Sequence, residues 1–246
     1  MGRKYARPPV IEAVCEFRFG ADTQWDLAVP GLVYERIRDR LPNREQRLIP
    51  RIEIRNTEAG TEQQIHTEQR MFFLTEDKKT FIQVGARLLA VNRLAPYPPW
   101  DEFRPVVESA FDVLGSTVAL RSIDRIGLLY VNRIEIPRPE LELSEYFEFR
   151  PFLGEHLPQD VASFVVGCVL PFADERDACR VQLANGVPDQ PERSSFILDL
   201  DYFLNRSNGV SADAALQWVE NAHTTVEQVF EGCITDKLRA LFGEVR

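Results

Sequence analysis

The chain has 246 residues, of which 38 are acidic, 29 are basic and 44% are hydrophobic, and its formal net charge is −9. This profile is typical of a globular protein, and it excludes a disordered chain, a collagen-like repeat and a disulfide-stapled mini-protein. No apolar run approaches the roughly 18 residues that a membrane span needs, and the N-terminus has no apolar signal core. We therefore expect a cytoplasmic protein of one or two domains, without membrane contact, whose four cysteines are free thiols.

Residues 1–115 predict four strands and two helices. Apolar residues fall on alternate positions in the strands and on every third or fourth position in the helices. Pro42 follows the first helix, and Gly115 is placed to end the second. The predicted strands are 10–19, 48–55, 71–75 and 80–94, and the predicted helices are 32–41 and 100–114.

Residues 122–246 also predict four strands and two helices. Segment 161–170 is apolar on both faces, which is typical of a central strand. Thr235 is placed to cap a short last helix, which Gly243 closes. The predicted strands are 122–136, 161–170, 179–184 and 195–204, and a long helix is predicted at 212–233.

These elements predict an α+β fold. Most connections between strands are too short for a crossover helix, which favours antiparallel sheets. We expect two similar halves, each a sheet covered by a helix: residues 1–137, an acidic connector at 138–160, and residues 161–246. Strands 10–19 and 161–170 would begin the two halves, either by internal duplication or as two unrelated units of a common type.

Motifs of several large enzyme classes are absent from the sequence. It has no G-x-G-x-x-G, no G-x-x-x-x-G-K-[ST], no H-E-x-x-H and no G-x-S-x-G. This counts against dinucleotide enzymes, P-loop NTPases, zincins and α/β-hydrolases. With only three histidines, the sequence predicts no metal site and no cofactor.

Asp199 and Asp201 are the best candidates for catalytic residues. They lie two residues apart on a predicted strand, so both carboxylates project from one face. Such a pair can hold Mg²⁺ for phosphodiesterase or nuclease chemistry. The alternative is a surface strand face, with the carboxylates paired to an arginine of a neighbouring strand.

Tyr130 and Asn132 are candidates for lining a pocket. Both fall among apolar residues on one face of the predicted strand 122–136. A polar group in such surroundings needs a partner, either inside the protein or in a ligand. The hypothesis that follows is a sensor of a small ligand, such as a nucleotide.

The basic residues are unevenly distributed. Residues 1–55 hold 11 basic and 8 acidic residues, which leaves the acidic excess to the rest of the chain. Arg36 and Arg40 lie one helical turn apart, and Arg51 and Arg55 share a strand face. These four arginines form either a solvated face or a docking surface for an acidic partner protein. Nucleic acid is a second possibility, which the overall charge and the lack of interleaved aromatic residues do not favour.

Three segments resemble one sporadically distributed, uncharacterised prokaryotic family of about this length. They are RPPVIEAVCEFRF at 7–19, IGLLYVNRI at 126–134 and VFEGCITDKL at 229–238. They are similar to the family's PPIxEA start, its GLRYINR-like strand and its closing ITxxL. The resemblance brings no catalytic residues, and Leu129 stands where the family usually has arginine. Its sporadic distribution implies horizontal transfer, which suits an accessory or defence-type operon.

Taken as a whole, the sequence predicts a non-catalytic cytoplasmic protein that associates with itself or with other proteins. The alternatives are the Mg²⁺-dependent phosphodiesterase or nuclease that would use Asp199 and Asp201, and the small-ligand sensor that would use Tyr130 and Asn132.

Overall fold

The computed structural model describes residues 3–57, 60–158 and 161–245. Side chains are described throughout these ranges except at 51–66. The helices are α1 (Val29–Ile37), α2 (Trp100–Gly115), α3 (Ala215–Cys233) and α4 (Asp236–Phe242). The strands are β1 (Lys4–Tyr5), β2 (Val10–Phe19), β3 (Asn43–Thr57), β4 (Gly60–Leu74), β5 (Thr80–Gly85), β6 (Leu88–Leu94), β7 (Ile123–Ile136), β8 (Val165–Phe172), β9 (Asp177–Asn185), β10 (Ser194–Leu204) and β11 (Glu244–Val245).

Nine of these strands form one antiparallel sheet, in the order β3-β4-β5-β6-β2-β7-β10-β9-β8. β2 and β7 pair at its centre, so the two predicted halves share a single sheet. The short strands β1 and β11 form a separate pair that joins the two ends of the chain. The α+β class and the antiparallel arrangement predicted from the sequence are confirmed.

α2 packs against β6, and α3 packs against β7 and β10, on the same face of the large sheet; α1 packs beside α2, and α4 packs against α3. Alternate residues of β2, among them Cys15 and Phe17, are fully buried beneath them. The ring of Phe17 lies 4.8 Å, centre to centre, from that of Phe111 on α2. Burying each such side chain contributes about 1.5–3 kcal/mol. One continuous core therefore fixes the sheet and the helices of both halves as a unit.

The two halves follow the same plan, although not with the strand correspondence that the sequence predicts. Each begins with a long central strand (β2 or β7), continues as a meander whose last strand (β6 or β10) returns beside it, and ends in a helix (α2 or α3). β7, which the predicted division assigns to residues 1–137, therefore takes the position in the sheet that corresponds to β2. The division of the chain into the two predicted halves stays a prediction. Internal duplication itself stays a prediction.

Part of the predicted connector packs against the core. Its residues Tyr146 and Phe147 are buried, and Phe147 forms a β-bridge with Ile234 just beyond α3. The chain between β7 and β8 is thus tied to the helical layer along part of its length.

Three local predictions are corrected by the structure. Segment 80–94 is a hairpin instead of one strand, because Ala86 and Arg87 form a turn in which Arg87 takes a φ of 53°. α1 begins earlier than predicted, since Pro30 lies in its first turn, where a fixed φ suits a helix. β8 covers most of segment 161–170 but is an edge strand that pairs only with β9, so it is not central.

The predicted strands 48–55 and 71–75 are too short, since β3 begins at Asn43 and β4 begins at Gly60. The other elements agree closely with the sequence. α2, β7, β9 and β10 lie within two or three residues of their predicted ends. The hydroxyl of Thr235 accepts a hydrogen bond from the backbone N–H of Leu238, and Gly243 ends α4 with a φ of 71°. Both caps of α4 are therefore confirmed.

Candidate functional site

The face of the large sheet that carries no helix among the described residues is the candidate site, and we call it the helix-free face. It presents every second residue of each strand. Strand register aligns Val14 of β2, Leu129 of β7 and Asp201 of β10 in one row across it, and the row continues to Arg180 of β9 and Val169 of β8.

The centre of the helix-free face is apolar. Val14 lies opposite Leu129, and Leu129 is two residues from Val131 on the same strand. Ile197 is on the neighbouring strand β10, two residues from Asp199, which is the residue paired with Val131. All four side chains are only partly buried. We call these four residues the apolar strip.

A network of polar side chains borders the apolar strip on the β2 side. Arg18 pairs with Glu16 at 2.7 Å, and Arg70 pairs with Glu68 at 2.7 Å. Arg18 also lies 3.5 Å from Glu68, so the two ion pairs are joined. Arg70 is 8% exposed and reaches Gln83, which continues the network toward β6.

A second network borders the strip on the other side. Arg125 lies 3.2 Å from the carboxylate of Asp201, and Arg180 lies 3.5 Å from it. At one end of the face, Arg133 pairs with Glu135 at 3.0 Å. The apolar strip is therefore enclosed by ion pairs in which each guanidinium has a carboxylate partner.

Asp199 lies beside the strip and is unlike its neighbours. Its Oδ1 atom is buried, and no atom of the described residues hydrogen-bonds to it. Burial raises the pKa of the Asp199 carboxyl, Arg180 opposes that effect, and the charge of Asp201 adds to it. Such a carboxylate can accept a hydrogen bond from a bound partner.

Asp199 and Asp201 share one face, as the sequence predicts, and that face is the open surface of a sheet. Asp201 lies within ion-pair distance of both Arg125 and Arg180, as in the predicted alternative of pairing to a neighbouring strand. Two guanidinium groups beside one carboxylate disfavour a divalent cation. Within the described residues, no group of three or more His, Cys, Asp or Glu side chains is arranged to hold a metal.

Two of the four candidate arginines bind inside the protein. Arg36 donates to the hydroxyls of Ser116 and Thr117, and Arg40 donates to that of Ser109 at 2.6 Å, so both tie α1 to α2. The backbones of Arg51 and Arg55 belong to β3, and their side chains lie outside the described residues.

Tyr130 and Asn132 lie on the opposite, helix-covered face and are almost fully buried. The hydroxyl of Tyr130 is 3.0 Å from that of Tyr97 and 3.1 Å from Nδ1 of His223. The amide of Asn132 donates to the carbonyl of Leu198 at 3.0 Å. Both residues therefore have partners within the protein, between β7 and the helices.

Asp177, which is 2% exposed, is a buried carboxylate that no sequence pattern singled out. Its carboxylate accepts hydrogen bonds from the Trp218 indole at 2.9 Å and the Tyr202 hydroxyl at 3.1 Å, and it pairs with Arg176 at 2.6 Å. These residues border a surface pocket of about 240 Å³ between α3 and the β8–β9 turn. Asp177 lies outside the predicted strands, and two of its partners, Tyr202 and Trp218, are distant in sequence.

The fold and this surface define an α+β protein whose large antiparallel sheet is covered by helices on one side only, as far as the described residues show. Neither a protein-family model nor a curated protein matches the sequence. The family resemblance of its three segments therefore stays a prediction. None of the helices in the described ranges is long and apolar enough to cross a membrane.

Proposed function

We propose that this chain is a non-catalytic interaction protein that binds a protein partner on its helix-free face. One observation carries the proposal: the apolar strip lies at the centre of an open sheet face and is enclosed by ion pairs. An apolar centre with a polar rim is the usual anatomy of a protein–protein interface.

The chemistry of the rim favours a protein over a nucleic acid. Arg18, Arg70, Arg125, Arg133 and Arg180 are each paired with a carboxylate. Nucleic-acid binding depends on cations that can replace the counterions of the phosphates. A rim of mixed charge instead orients a protein whose own charges complement it.

The proposed partner has apolar side chains that cover the strip and a hydrogen-bond donor near Asp199. Covering the strip removes apolar surface from water at about 25 cal/mol per Å². We infer a cytoplasmic setting, because four free cysteines suit a reducing compartment.

Affinity capture with two leucine variants tests the proposal. Leu129→Arg places a charge in the centre of the strip, whereas Leu27→Arg makes the same change at a residue that is 95% exposed in the loop before α1. We expect wild type and Leu27→Arg to retain the same protein from a lysate of the source organism, and Leu129→Arg to lose it. The captured protein must then bind the purified chain in isolation.

Two results would contradict the proposal. One is that no protein is retained by the wild-type chain. The other is that Leu129→Arg, with an unchanged circular dichroism spectrum and melting temperature, retains the same protein as wild type. We do not propose the nuclease, because the guanidinium groups of Arg125 and Arg180 lie at the Asp201 carboxylate that would have to bind the Mg²⁺.

A further inference from the structure

The two edges of the large sheet are built differently. An edge strand offers unpaired backbone N–H and C=O groups to any other strand, and proteins usually block it with charges or proline. β3, at one edge, has six charged residues among fifteen and a proline at position 50. β8, at the other edge, has no charged residue in its sequence VVGCVLPF.

The side chains of β8 are also unusually exposed for apolar residues. Val165 is 70% exposed, Val169 is 58% exposed and Leu170 is 39% exposed. Pro171 lies near the end of the strand, so it leaves most of the edge free to pair. Among the residues that the structure describes, the edge at β8 thus combines backbone groups without a neighbouring strand, apolar side chains and no charge.

We propose that β8 pairs antiparallel with β8 of a second copy of this chain, giving a two-fold dimer whose sheet is continuous through the interface. A second copy fits because an uncharged strand meets itself without like-charge repulsion, which is the condition for a self-complementary two-fold interface. Pairing adds backbone hydrogen bonds along a strand of eight residues, roughly 26 Å long.

The geometry of antiparallel pairing determines the form of the dimer. Residues opposite each other in antiparallel strands point to the same face of a sheet. The two-fold axis must therefore stand perpendicular to the sheet, and the helices of both copies lie on one side. The helix-free faces join on the other side, so the dimer leaves the apolar strips open. The dimer does not depend on the partner proposed for that face.

Light scattering on the purified chain tests the dimer. We expect wild type to give twice the 28.2 kDa chain mass and Val169→Lys to give the single mass, because the two-fold brings two new charges together. Val187→Lys is the matched control, since Val187 is 84% exposed in the loop between β9 and β10. It should remain dimeric, as should Leu129→Arg.

Hydrogen exchange distinguishes β8 from any other interface. Amides of 165–172 should exchange more slowly in concentrated than in dilute wild-type protein, and this difference should vanish in Val169→Lys. Val165→Lys is a second variant, should Val169→Lys fail to fold. A single-chain mass at every concentration, a dimer that persists in both folded lysine variants, or protection confined to another segment would overturn the proposal.

Discussion

At the residue scale, Asp199 and Asp177 are two partly or fully buried carboxylates with opposite surroundings. Asp199 has an oxygen with no hydrogen-bond partner among the described residues, and burial raises its pKa. Asp177 receives hydrogen bonds from Trp218, Tyr202 and Arg176. A buried carboxylate without a hydrogen-bond donor lowers the stability of the folded state. When a buried carboxylate has donors, removing it leaves those donors without an acceptor and lowers stability for that reason.

The raised pKa of Asp199 predicts how stability changes with pH. Because the folded state holds this proton more tightly than the unfolded state, stability should fall as pH rises from about 4, the ordinary aspartate value, through the folded pKa. Asp199→Asn has no charge to bury, so its free energy of unfolding should exceed that of wild type by a margin that grows over this range. Denaturant unfolding at several pH values measures the margin.

The control for the amide substitution itself is Asp213→Asn, at an exposed position just before α3. If the free energies of unfolding of Asp199→Asn and wild type differ by the same amount at every pH, burial of the Asp199 carboxyl does not lower stability.

Removing the Asp177 carboxylate should be strongly destabilising. Asp177→Ala leaves the Trp218 indole and the Tyr202 hydroxyl without their acceptor inside the protein. We expect a loss of about 2–4 kcal/mol in the free energy of unfolding. Asp189→Ala breaks only the ion pair of a largely exposed aspartate with Arg133, so its loss should stay below about 1 kcal/mol. Equal losses for the two variants would contradict the structural role assigned to Asp177.

At the scale of elements, α4 is held by its caps and by two buried side chains. Leu238 and Phe242 contact the core. Its seven residues are too few for a helix that is stable alone. The Thr235 hydroxyl caps its first turn and also donates to the carbonyl of Glu145, so this one side chain joins α4 to the connector.

Thr235→Ala should therefore lower the free energy of unfolding by about 1 kcal/mol, the usual value of an N-cap. Thr224→Ala makes the same change inside α3, where the threonine hydroxyl bonds only to the carbonyl of Glu220 one turn earlier. Alanine is the better helix former there, so no loss is expected. Thermal melts of both variants give the comparison, and a Thr235→Ala protein as stable as wild type would exclude a capping role.

At the scale of the whole molecule, periodicity predicted much of the architecture. Apolar spacing was sufficient for α2 and α3, and the two-residue period correctly put Asp199 and Asp201 on one face. The edge position of β8 could not be predicted from periodicity, because an exposed apolar strand at the edge of a sheet has the same composition as a buried strand at its centre. The turn at Ala86 and Arg87 contains none of the usual turn residues.

The partners of the candidate site residues depend on tertiary contacts. Arg125 is 76 positions from Asp201, and Trp218 is 41 positions from Asp177. No local pattern links such pairs, so the sequence supplied the carboxylates without their surroundings. The two-sided character of the sheet, with the helices of the described ranges on one side, depends on the register of all nine strands, which no local pattern contains.

That two-sidedness is the basis of the proposed function. The helix-covered face holds the main core, and the helix-free face holds the apolar strip, its paired charges and a small buried cluster of Phe72, Leu74 and Phe81. We propose that the first face folds the chain and that the second binds the partner. The β8 edge adds a second copy without covering either face.

The most direct test of this division is the affinity of the purified chain for the captured protein, measured by calorimetry for wild type, Leu27→Arg and Leu129→Arg. We expect Leu27→Arg to bind as wild type does, and Leu129→Arg to bind at least about tenfold more weakly, as is usual for a residue at the centre of an interface. Equal affinities for wild type and a correctly folded Leu129→Arg would contradict the proposed division between the two faces.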